Sequence, residues 1–294
     1  MKKSADHFQR IGLVGNAEKS ACAASVRAAA RLIQRTGRKI ICDEITAKLA
    51  KLKCPTTTNA AALAHEVDLI LVFGGDGTML HTARQIASST TPMLGVNIGG
   101  LGFLTAVPSD KLADALKLVW AGEFKFETRA LIEAGGVCHG KKLSATALND
   151  IVVTRGAVSR LIALDVTVNG DLVTRYRCDG LIVSSPTGST AYSLAAGGAI
   201  VLPTADVFAL TPICPHALSN RSIILPLSAT IRVKAINTVP AAFLNADGQI
   251  VGELDANDEI TIRRSRHSVR LLRLANSSFL EALRRKLHWR GTYL

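Results

Sequence analysis

The sequence predicts an α/β domain followed by a mainly β domain. Over roughly the first 125 residues, short and nearly continuous apolar segments alternate with helical ones, which is typical of a parallel sheet covered on both faces. From Thr128 onward, β-rich segments replace this pattern. Between two of them lies Asn169-Gly170, the strongest short hairpin signal. We therefore expect the class α/β plus mainly β, with a Rossmann-like N-terminal domain and a C-terminal antiparallel β-sandwich.

Each element of the first domain is predicted from an apolar run or from helical composition. In chain order, the elements are a strand at Ile11–Gly15, an alanine-rich helix at Ser20–Arg35, a strand at Lys39–Cys42, a helix at Ala47–Lys53, a strand at Val67–Phe73, a helix at Thr78–Ala87 and a strand from Met93. This alternation supports the parallel sheet.

The second domain is predicted from β-forming composition. The segments Ala163–Val168 and Leu172–Thr174 flank the hairpin turn, and Thr230–Val239 and Glu259–Leu274 also alternate or are rich in β-forming residues. This domain is therefore expected to be mainly antiparallel.

A last helix is predicted at Ser278–His288. It could cap the β domain or return to the first domain, and we expect it to pack on the first. The predicted organisation is thus an α/β domain at 1–127, a β-rich domain at 128–274 and a C-terminal helical segment at 275–294.

Composition indicates a folded cytoplasmic protein. Of the 294 residues, 48% are apolar, which is enough for substantial cores. No apolar run approaches the roughly 18 residues of a membrane span, and the N-terminus lacks the apolar segment of a signal peptide. Six cysteines without a Cys-x-x-Cys pair fit neither a disulfide framework nor a zinc site. They are expected to be reduced and mostly buried.

The net charge of +12 is concentrated near the C-terminus, where residues 261–294 carry nine Lys or Arg against one acid, Glu281. One interpretation is a solvated basic face, because few aromatic residues are available to stack on bases. The other is attraction of a polyanionic ligand such as a nucleotide. Binding to nucleic acid is the least favoured alternative, and no membrane partner is expected.

The most informative segment is the apolar run Leu69–Phe73, which leads directly into Gly74-Gly75-Asp76-Gly77. Ligands bind at the carboxyl ends of strands in parallel α/β sheets. Glycines allow the backbone to approach a ligand closely, and the N–H groups at the start of the next helix suit a phosphate. Asp76 would repel that phosphate unless it binds a metal or accepts a proton; alternatively, it is a turn residue.

Two further glycine-rich segments follow apolar strands. Met93–Leu104 repeats the strand and turn arrangement, and Arg177–Gly198 combines a strand with a hydroxyl-rich turn and a helix-like stretch. In the latter, Tyr192 could stack on a base and Asp179 could hold a ribose hydroxyl or an amide. Their structural alternatives are a packed aromatic ring and a strand-end turn.

Together these segments resemble the NAD kinase family. The resemblance rests on Gly74-Gly75-Asp76-Gly77-Thr78, Asn149-Asp150, Asp179–Gly198 and Asp247-Gly248-Gln249. The first motif also occurs in diacylglycerol and sphingosine kinases and, in a related form, in phosphofructokinases, whereas Pro186–Ser193 is highly specific. The resemblance implies transfer of a phosphoryl group from ATP, or from polyphosphate, to the 2′-hydroxyl of the adenosine ribose of NAD. It also implies a divalent metal, with Mg²⁺ expected, and a homodimer or homotetramer.

The resemblance also implies roles for individual residues. Asp76 matches the general base. The positions that match or line the dinucleotide site are Gly77, Asn149, Asp150, Arg160, Arg177, Asp179, Thr190, Ala191, Tyr192, Ser193, Leu194, Ala195 and Gln249. His81, one helical turn after the glycine loop, could reach a phosphate or could instead be solvent-facing or packed. No residue is assigned as a metal ligand. Ser185 and Ala199 replace the expected Thr and Pro.

Two other functions remain open from the residues alone. A lipid kinase would share the glycine loop but would need an apolar acyl cleft, whereas residues 177–198 are rich in hydroxyls and small side chains. A non-catalytic dinucleotide sensor would bind NAD without needing Asp76. The sequence contains no Walker lysine motif, so backbone amides and a divalent ion are expected to hold the donor phosphates.

Overall fold

The structure, a computed structural model, describes residues 8–100, 102–138, 140–158, 160–236, 241–275 and 277–289. The chain divides into two compact units. One contains the residues up to Thr128 together with those from Val269 onward, and the other contains Arg129–Ser268.

The helices and strands are numbered in chain order. They are β1 (Arg10–Gly15), α1 (Ser20–Gln34), β2 (Lys39–Asp43), α2 (Glu44–Ala50), β3 (Thr56–Thr57), α3 (Ala60–Glu66), β4 (Leu69–Gly74), α4 (Asp76–Gln85), β5 (Met93–Asn97), β6 (Val107–Pro108), α5 (Leu112–Trp120), β7 (Phe124–Cys138), β8 (Lys141–Ala147), β9 (Asp150–Arg155), β10 (Ile162–Val168), β11 (Asp171–Cys178), β12 (Gly180–Ser184), α6 (Tyr192–Ala195), β13 (Val207–Ile213), β14 (Ile223–Pro226), β15 (Ile231–Ala235), β16 (Ala242–Ala246), β17 (Gln249–Leu254), β18 (Glu259–Leu274) and α7 (Phe279–Lys286). Short 3₁₀ helices occur at Ser109–Lys111 and Thr187–Thr190.

The first unit contains the predicted parallel sheet. Its strands lie in the order β3-β2-β1-β4-β5, and β5 also pairs with β6. At the end of β18, Leu271 pairs with Met93 in the same parallel sense. Every residue of β4 is buried, because the sheet is covered on both faces, and this explains its uninterrupted apolar sequence.

The second unit is antiparallel, as predicted. One sheet has the order β14-β13-β12-β9-β16-β17, and β11, β10, β15 and the start of β18 form another. A continuous apolar core draws on both, with Ile151 and Leu181 from the first and Leu164 and Val233 from the second. Two sheets sharing one core form the expected sandwich. The Asn169-Gly170 hairpin is confirmed, with φ of 52° and 99° at its two residues.

Several predicted boundaries differ from those observed. The helices α3 and α5 were not predicted, and α2 begins at Glu44 because the Asp43 side chain caps it by accepting from Thr46 N at 2.7 Å. The helix predicted from Thr78 begins earlier, at Asp76, with Gly75 as its N-cap. Residues 237–239, the end of one predicted strand, lie outside the described residues.

The C-terminal helix α7 belongs to the first unit. Ser278 caps it, Leu283 is buried, and the rings of Phe279 and Phe103 lie 6.1 Å apart. Among the described residues, no helix is both long enough and apolar enough to cross a membrane.

Candidate active site

The site in the first unit is built where β4 ends and α4 begins. A β-carbon added to Gly74 would collide with the side chain of Thr78, so the turn requires glycine there. Asp76 is the first residue of α4 and is therefore not in a free loop, as the sequence had suggested. Its carboxylate is favourably placed at the positive end of the helix dipole.

Asp76 also joins the two glycine-rich segments of this unit. Its Oδ2 atom accepts a hydrogen bond from Phe103 N at 2.8 Å, and its Oδ1 atom accepts from Leu104 N at 3.0 Å and Thr105 N at 3.3 Å. A β-carbon on Gly102 would overlap the same carboxylate. Residues 74–77, 98–100 and 102–105 thus form one assembly, which we call the glycine cradle.

Two lysines that the sequence analysis did not single out lie at this cradle. Lys19 Nζ donates to Ile98 O at 3.0 Å, and a β-carbon on Gly75 or Gly99 would lie 3.7 or 3.9 Å from that Nζ. Lys286 of α7 places its Nζ 3.8 Å from Asp76 Oδ2. Both lysines are exposed, and cations at the rim of a helix N-terminus suit an anionic ligand.

Lys286 is also held by an aromatic ring. Its Nζ lies 4.5 Å from the centroid of Phe103, whose own N–H binds Asp76. The sequence signal was the basic C-terminal cluster, for which both a solvated face and attraction of a nucleotide were considered.

Gly77 and His81 lie on the exposed side of α4. His81 Nε2 and Gln85 Nε2 are 2.9 Å apart, one helical turn from each other. The structure therefore places His81 at the surface of the helix that starts at the cradle. Asn16, at the end of β1, donates to Thr78 Oγ1 at 3.2 Å and ties that strand to the same helix.

In the second unit, the Asn149-Asp150 pair is fixed by a distant turn. Asp247 and Gly248 form the β16–β17 turn, with φ of 47° and 76°, so the hairpin interpretation of this dipeptide is correct. The Asp247 carboxylate accepts from the backbone N–H groups of Leu148, Asn149 and Asp150 at 3.0, 2.7 and 3.3 Å. Sequence reasoning grouped Asp247 with Gln249 but did not anticipate this anchoring role.

Asp150 is an unusual buried carboxyl group. Its exposed fraction is only 4%. Burial and, secondarily, the nearby charge of Asp247 raise its pKa to about 7. Asp150 can therefore be neutral at physiological pH and act as a hydrogen-bond donor.

The hydroxyl-rich turn after β12 packs on the same pair. Ser185 Oγ donates to Leu148 O at 2.5 Å and accepts from Gly188 N at 3.2 Å, while Ser185 N donates to Asn149 O at 2.8 Å. A β-carbon on Gly188 would overlap the Asn149 backbone. Ser185, which replaces the expected Thr, thus anchors both ends of the turn.

The predicted contacts between 190 and 195 differ in accessibility. Ser193 is buried, and its Oγ lies 3.1 Å from Thr211 Oγ1, so its side chain is already bonded inside the unit. Tyr192 is 45% exposed and Ala195 is also exposed, whereas Thr190, Ala191 and Leu194 are partly buried. Tyr192 is therefore available for stacking and is not a core aromatic residue.

The remaining predicted residues lie in or between strands of the second unit. Asp179 pairs with Arg155, whose Nε donates to Asp179 Oδ1 at 2.6 Å. Arg177, Arg160 and Gln249 are exposed, and Gln249 opens β17 directly after the Asp247 turn. Arg155 was missed by the sequence analysis because nothing local marks its partner, Asp179, 24 residues away.

The described residues contain no group of three or more His, Cys, Asp or Glu side chains arranged to hold a metal ion. Mg²⁺ often needs only one or two carboxylates when substrate phosphates supply other ligands. The glycine cradle offers a single carboxylate, Asp76. It therefore fits a Mg²⁺ ion that is bound mainly by substrate phosphates.

Family models match both halves of the chain. The model of the ATP-NAD kinase N-terminal domain matches residues 11–124, and that of the ATP-NAD kinase C-terminal domain matches residues 148–274. The NAD kinase of Desulforamulus reducens is 42% identical over 279 residues, which cover 94% of this chain and 96% of the relative. The NAD kinase of Thiobacillus denitrificans is 38% identical over 96% of this chain and 97% of its own length.

Solved structures of an NADH kinase and an NAD kinase are also similar to this chain. Yeast NADH kinase, crystallised with NADH, superimposes with a TM-score of 0.86 at 26% identity, covering 98% of this chain and 89% of its own. An NAD kinase from Archaeoglobus fulgidus, solved with ATP, has a TM-score of 0.76 at 25% identity and covers 96% of this chain and all of its own.

Proposed function

The chain belongs to the NAD kinase family, and we propose that it transfers the γ-phosphoryl group of ATP to the 2′-hydroxyl of the adenosine ribose of NAD. The product is NADP. The observation that carries this proposal is the glycine cradle, in which a carboxylate stands at a helix N-terminus between backbone amides and lysines.

Asp76 is the proposed general base. In phosphoryl transfer through a loose transition state, the hydroxyl becomes acidic late, so an ordinary carboxylate suffices. Such a base contributes roughly 100- to 10,000-fold to the rate. The three backbone N–H donors to Asp76 support the role, because they fix the carboxylate before the substrate arrives.

We assign the donor phosphates to the N-terminus of α4 together with Lys19 and Lys286. The first N–H groups of a helix have no intrahelical partner and bind phosphate readily. Lys286 is 37% exposed and its pair with Asp76 is 3.8 Å long, so the pair is weak and the ammonium group can turn to a phosphate. When the Lys286 ammonium group turns to the phosphate, the Asp76 carboxylate is left free to accept a proton.

Mg²⁺ is the metal we propose, and the phosphates of ATP would be its main ligands. When bound, it would neutralise charge on the transferring phosphate. The protein's own residues orient the phosphates and keep the acceptor hydroxyl next to a carboxylate.

Residues of the second unit are proposed to bind NAD. Asn149 can accept and donate hydrogen bonds to the adenine or ribose, and neutral Asp150 can donate one. Tyr192 has the exposure needed to stack on the adenine. The other proposed contacts of the second unit are Arg160, Arg177, Asp179, Thr190, Ala191, Ser193, Leu194, Ala195 and Gln249. Gly77 and His81 are the proposed contacts of the first unit.

Family resemblance is also the basis for three finer proposals. We expect a cytoplasmic enzyme, assembled as a homodimer or homotetramer, that accepts ATP or polyphosphate as donor. Size-exclusion chromatography with light scattering measures the assembly, and replacement of ATP by polyphosphate in the assay tests the donor.

A coupled assay tests the proposed reaction. Purified protein is mixed with NAD, ATP and Mg²⁺, and NADP is detected with an NADP-specific dehydrogenase. We expect NADP to form and its formation to stop on chelation of the metal. Folded protein that binds NAD without producing NADP would instead be a dinucleotide sensor, and protein that does not bind NAD would point to a lipid acceptor.

A further inference from the structure

Two cysteines of the first unit are in direct contact. Cys42 is fully buried near the end of β2, and Cys54 is partly exposed in the segment after α2. Their Sγ atoms lie 3.3 Å apart. A disulfide bond is about 2.0 Å long, so a modest side-chain adjustment would join the two sulfurs.

The backbone holds the two cysteines near one another. Cys42 N donates to Pro55 O at 3.1 Å, and Cys42 pairs with Thr56 where β2 and β3 run side by side. Pro55 directly follows Cys54, so the two thiols are fixed by sheet pairing and not by a chance approach of loops.

Cys54 also lines a basic pocket of about 330 Å³. The charged residues lining this pocket are Arg10, Arg38, Lys39 and Lys53. Arg10 pairs with Asp68 at 3.6 Å, and the guanidinium of Arg38 stacks 3.9 Å from the Trp120 ring. Lys39 and Lys53 are exposed, and the lining as a whole carries an excess of positive charge that favours an anion.

We propose that Cys42 and Cys54 form a reversible dithiol site, which a small anionic disulfide oxidises to an intramolecular disulfide. Cys54 sulfur attacks one sulfur of the reagent, loses its proton and forms a mixed disulfide while one reagent thiol leaves. Cys42 sulfur then attacks Cys54 sulfur, loses its proton and releases the second reagent thiol. Two protein thiols are oxidised, and one disulfide is reduced to two thiols.

The order of these steps follows from accessibility. Cys54 faces the pocket and meets the reagent first. Burial, with a smaller effect of the hydrogen bond to Cys54, raises the pKa of Cys42, so Cys42 reacts more slowly as the resolving thiol. A mixed disulfide on Cys54 should therefore be detected before the internal disulfide.

The other four cysteines provide internal controls. Cys22, Cys138 and Cys178 are buried, and Cys214 is exposed in the second unit. Cys214 can form a mixed disulfide, and the buried thiol of Cys178 lies close enough to interact with it electrostatically. The experiment is therefore made in a Cys214→Ser background.

The full-length protein is treated with oxidised glutathione and followed by intact mass and peptide mapping. We expect a transient glutathione adduct on Cys54, then loss of two hydrogen masses and a Cys42–Cys54 peptide crosslink that dithiothreitol reverses. Cys42→Ser should keep the adduct, and Cys54→Ser should form neither product. Circular dichroism checks that each variant folds, and differential alkylation of the unsubstituted protein gives the same test without any variant.

A persistent adduct on Cys54 without a crosslink, or no reaction at Cys54, would overturn the proposal. Charge selectivity is tested with cystamine, a cationic disulfide of the same chemistry. Lys53→Gln should slow the glutathione reaction severalfold and not the cystamine reaction, whereas Lys48→Gln, outside the pocket, should alter neither. Equal effects of Lys53→Gln on both reagents would contradict recognition of an anion.

Discussion

At the scale of single residues, Asp76 is both a structural anchor and the proposed base. Its two oxygens accept three backbone N–H groups, the closest at 2.8 Å, and one of them also faces Lys286. A substitution there must therefore separate loss of proton transfer from loss of structure. Asparagine keeps the shape of the side chain and one carbonyl oxygen, which makes it the appropriate replacement.

Asp76→Asn is expected to lower turnover by roughly 100- to 10,000-fold while NAD affinity stays close to that of the wild type. Steady-state kinetics and calorimetric binding of NAD measure the two quantities. Asp114→Asn, on the exposed surface of α5, is the matched control. Turnover near the wild-type value in a folded Asp76→Asn variant would remove Asp76 from the role of base.

Lys286→Gln is expected to raise the KM for ATP by about tenfold or more, because a hydrogen bond to a charged group contributes about 1.5–3 kcal/mol. The KM for NAD should change little. Arg285→Gln removes one positive charge from the next position of α7 and serves as the control for net charge. Equal effects of the two substitutions would mean that Lys286 acts only through the overall basic surface.

The raised pKa of Asp150 implies that the free energy of unfolding depends on pH. Its pKa is about 7 in the folded chain and about 4 in an unfolded one, so the folded state retains a proton that the unfolded state loses. The contribution of Asp150 to the free energy of unfolding is therefore greatest below about pH 4. It falls as the pH rises to about 7, by at most about 1.4 kcal/mol per pH unit. Above about pH 8 no further change is expected.

Urea unfolding of ligand-free wild type and Asp150→Asn between pH 5 and pH 8 measures this effect. The wild type should lose stability relative to the variant as pH rises towards 7. A difference between the two proteins that does not vary with pH would show that Asp150 is ionised throughout.

At the scale of elements, the glycine cradle depends on how closely two segments approach. Gly102 lies against the Asp76 carboxylate, whereas no atom of the described residues lies within 4 Å of a β-carbon placed on Gly100. The two glycines therefore differ in what a methyl group would do, although they belong to one segment.

Gly102→Ala is expected to displace the Asp76 carboxylate and lower turnover at least tenfold, since misplacing a reacting group by about 1 Å can cost roughly 100-fold in rate. Gly100→Ala should remain within about twofold of the wild type, because its β-carbon meets open space. Kinetics of the two variants side by side test the claim. Equal activity of the two variants would show that the close approach of Gly102 to Asp76 is not needed for turnover.

The hairpin of β16 and β17 shows how a strand turn can organise a site. Asp247 adopts a positive φ that asparagine or aspartate tolerates, and its carboxylate collects the N–H groups at the start of β9. The same turn brings Gln249 to the beginning of β17. The Asn149-Asp150 pair thus receives its geometry from a segment distant in sequence.

At the scale of the whole molecule, the fold class could be predicted because periodicity is a local signal. The continuous apolar run in β4 indicated a strand buried on both faces, and Asn169-Gly170 indicated the hairpin. The short helix α3 was missed because seven alanine-rich residues give no clear period, and its start depends on the Asn59 side chain, which caps it.

The long-range contacts of the site could not be predicted in the same way. The Asp247 carboxylate binds Leu148 N across 99 residues, and Lys286 reaches Asp76 only because α7 belongs to the first unit. Local sequence marked the basic C-terminal cluster but gave no means to choose which cation faces the glycine cradle. The roles assigned to the individual site residues remain predictions until the variants are measured.

The most direct test of the account follows the phosphoryl group itself. The protein is incubated with NAD, Mg²⁺ and ATP labelled in its γ-phosphate, and the products are separated and treated with an NADP-specific dehydrogenase. We predict that the label appears in a product that this enzyme reduces, with one labelled phosphate per NADP. Label found only in inorganic phosphate or in a lipid acceptor, with NAD recovered unchanged, would contradict the assignment.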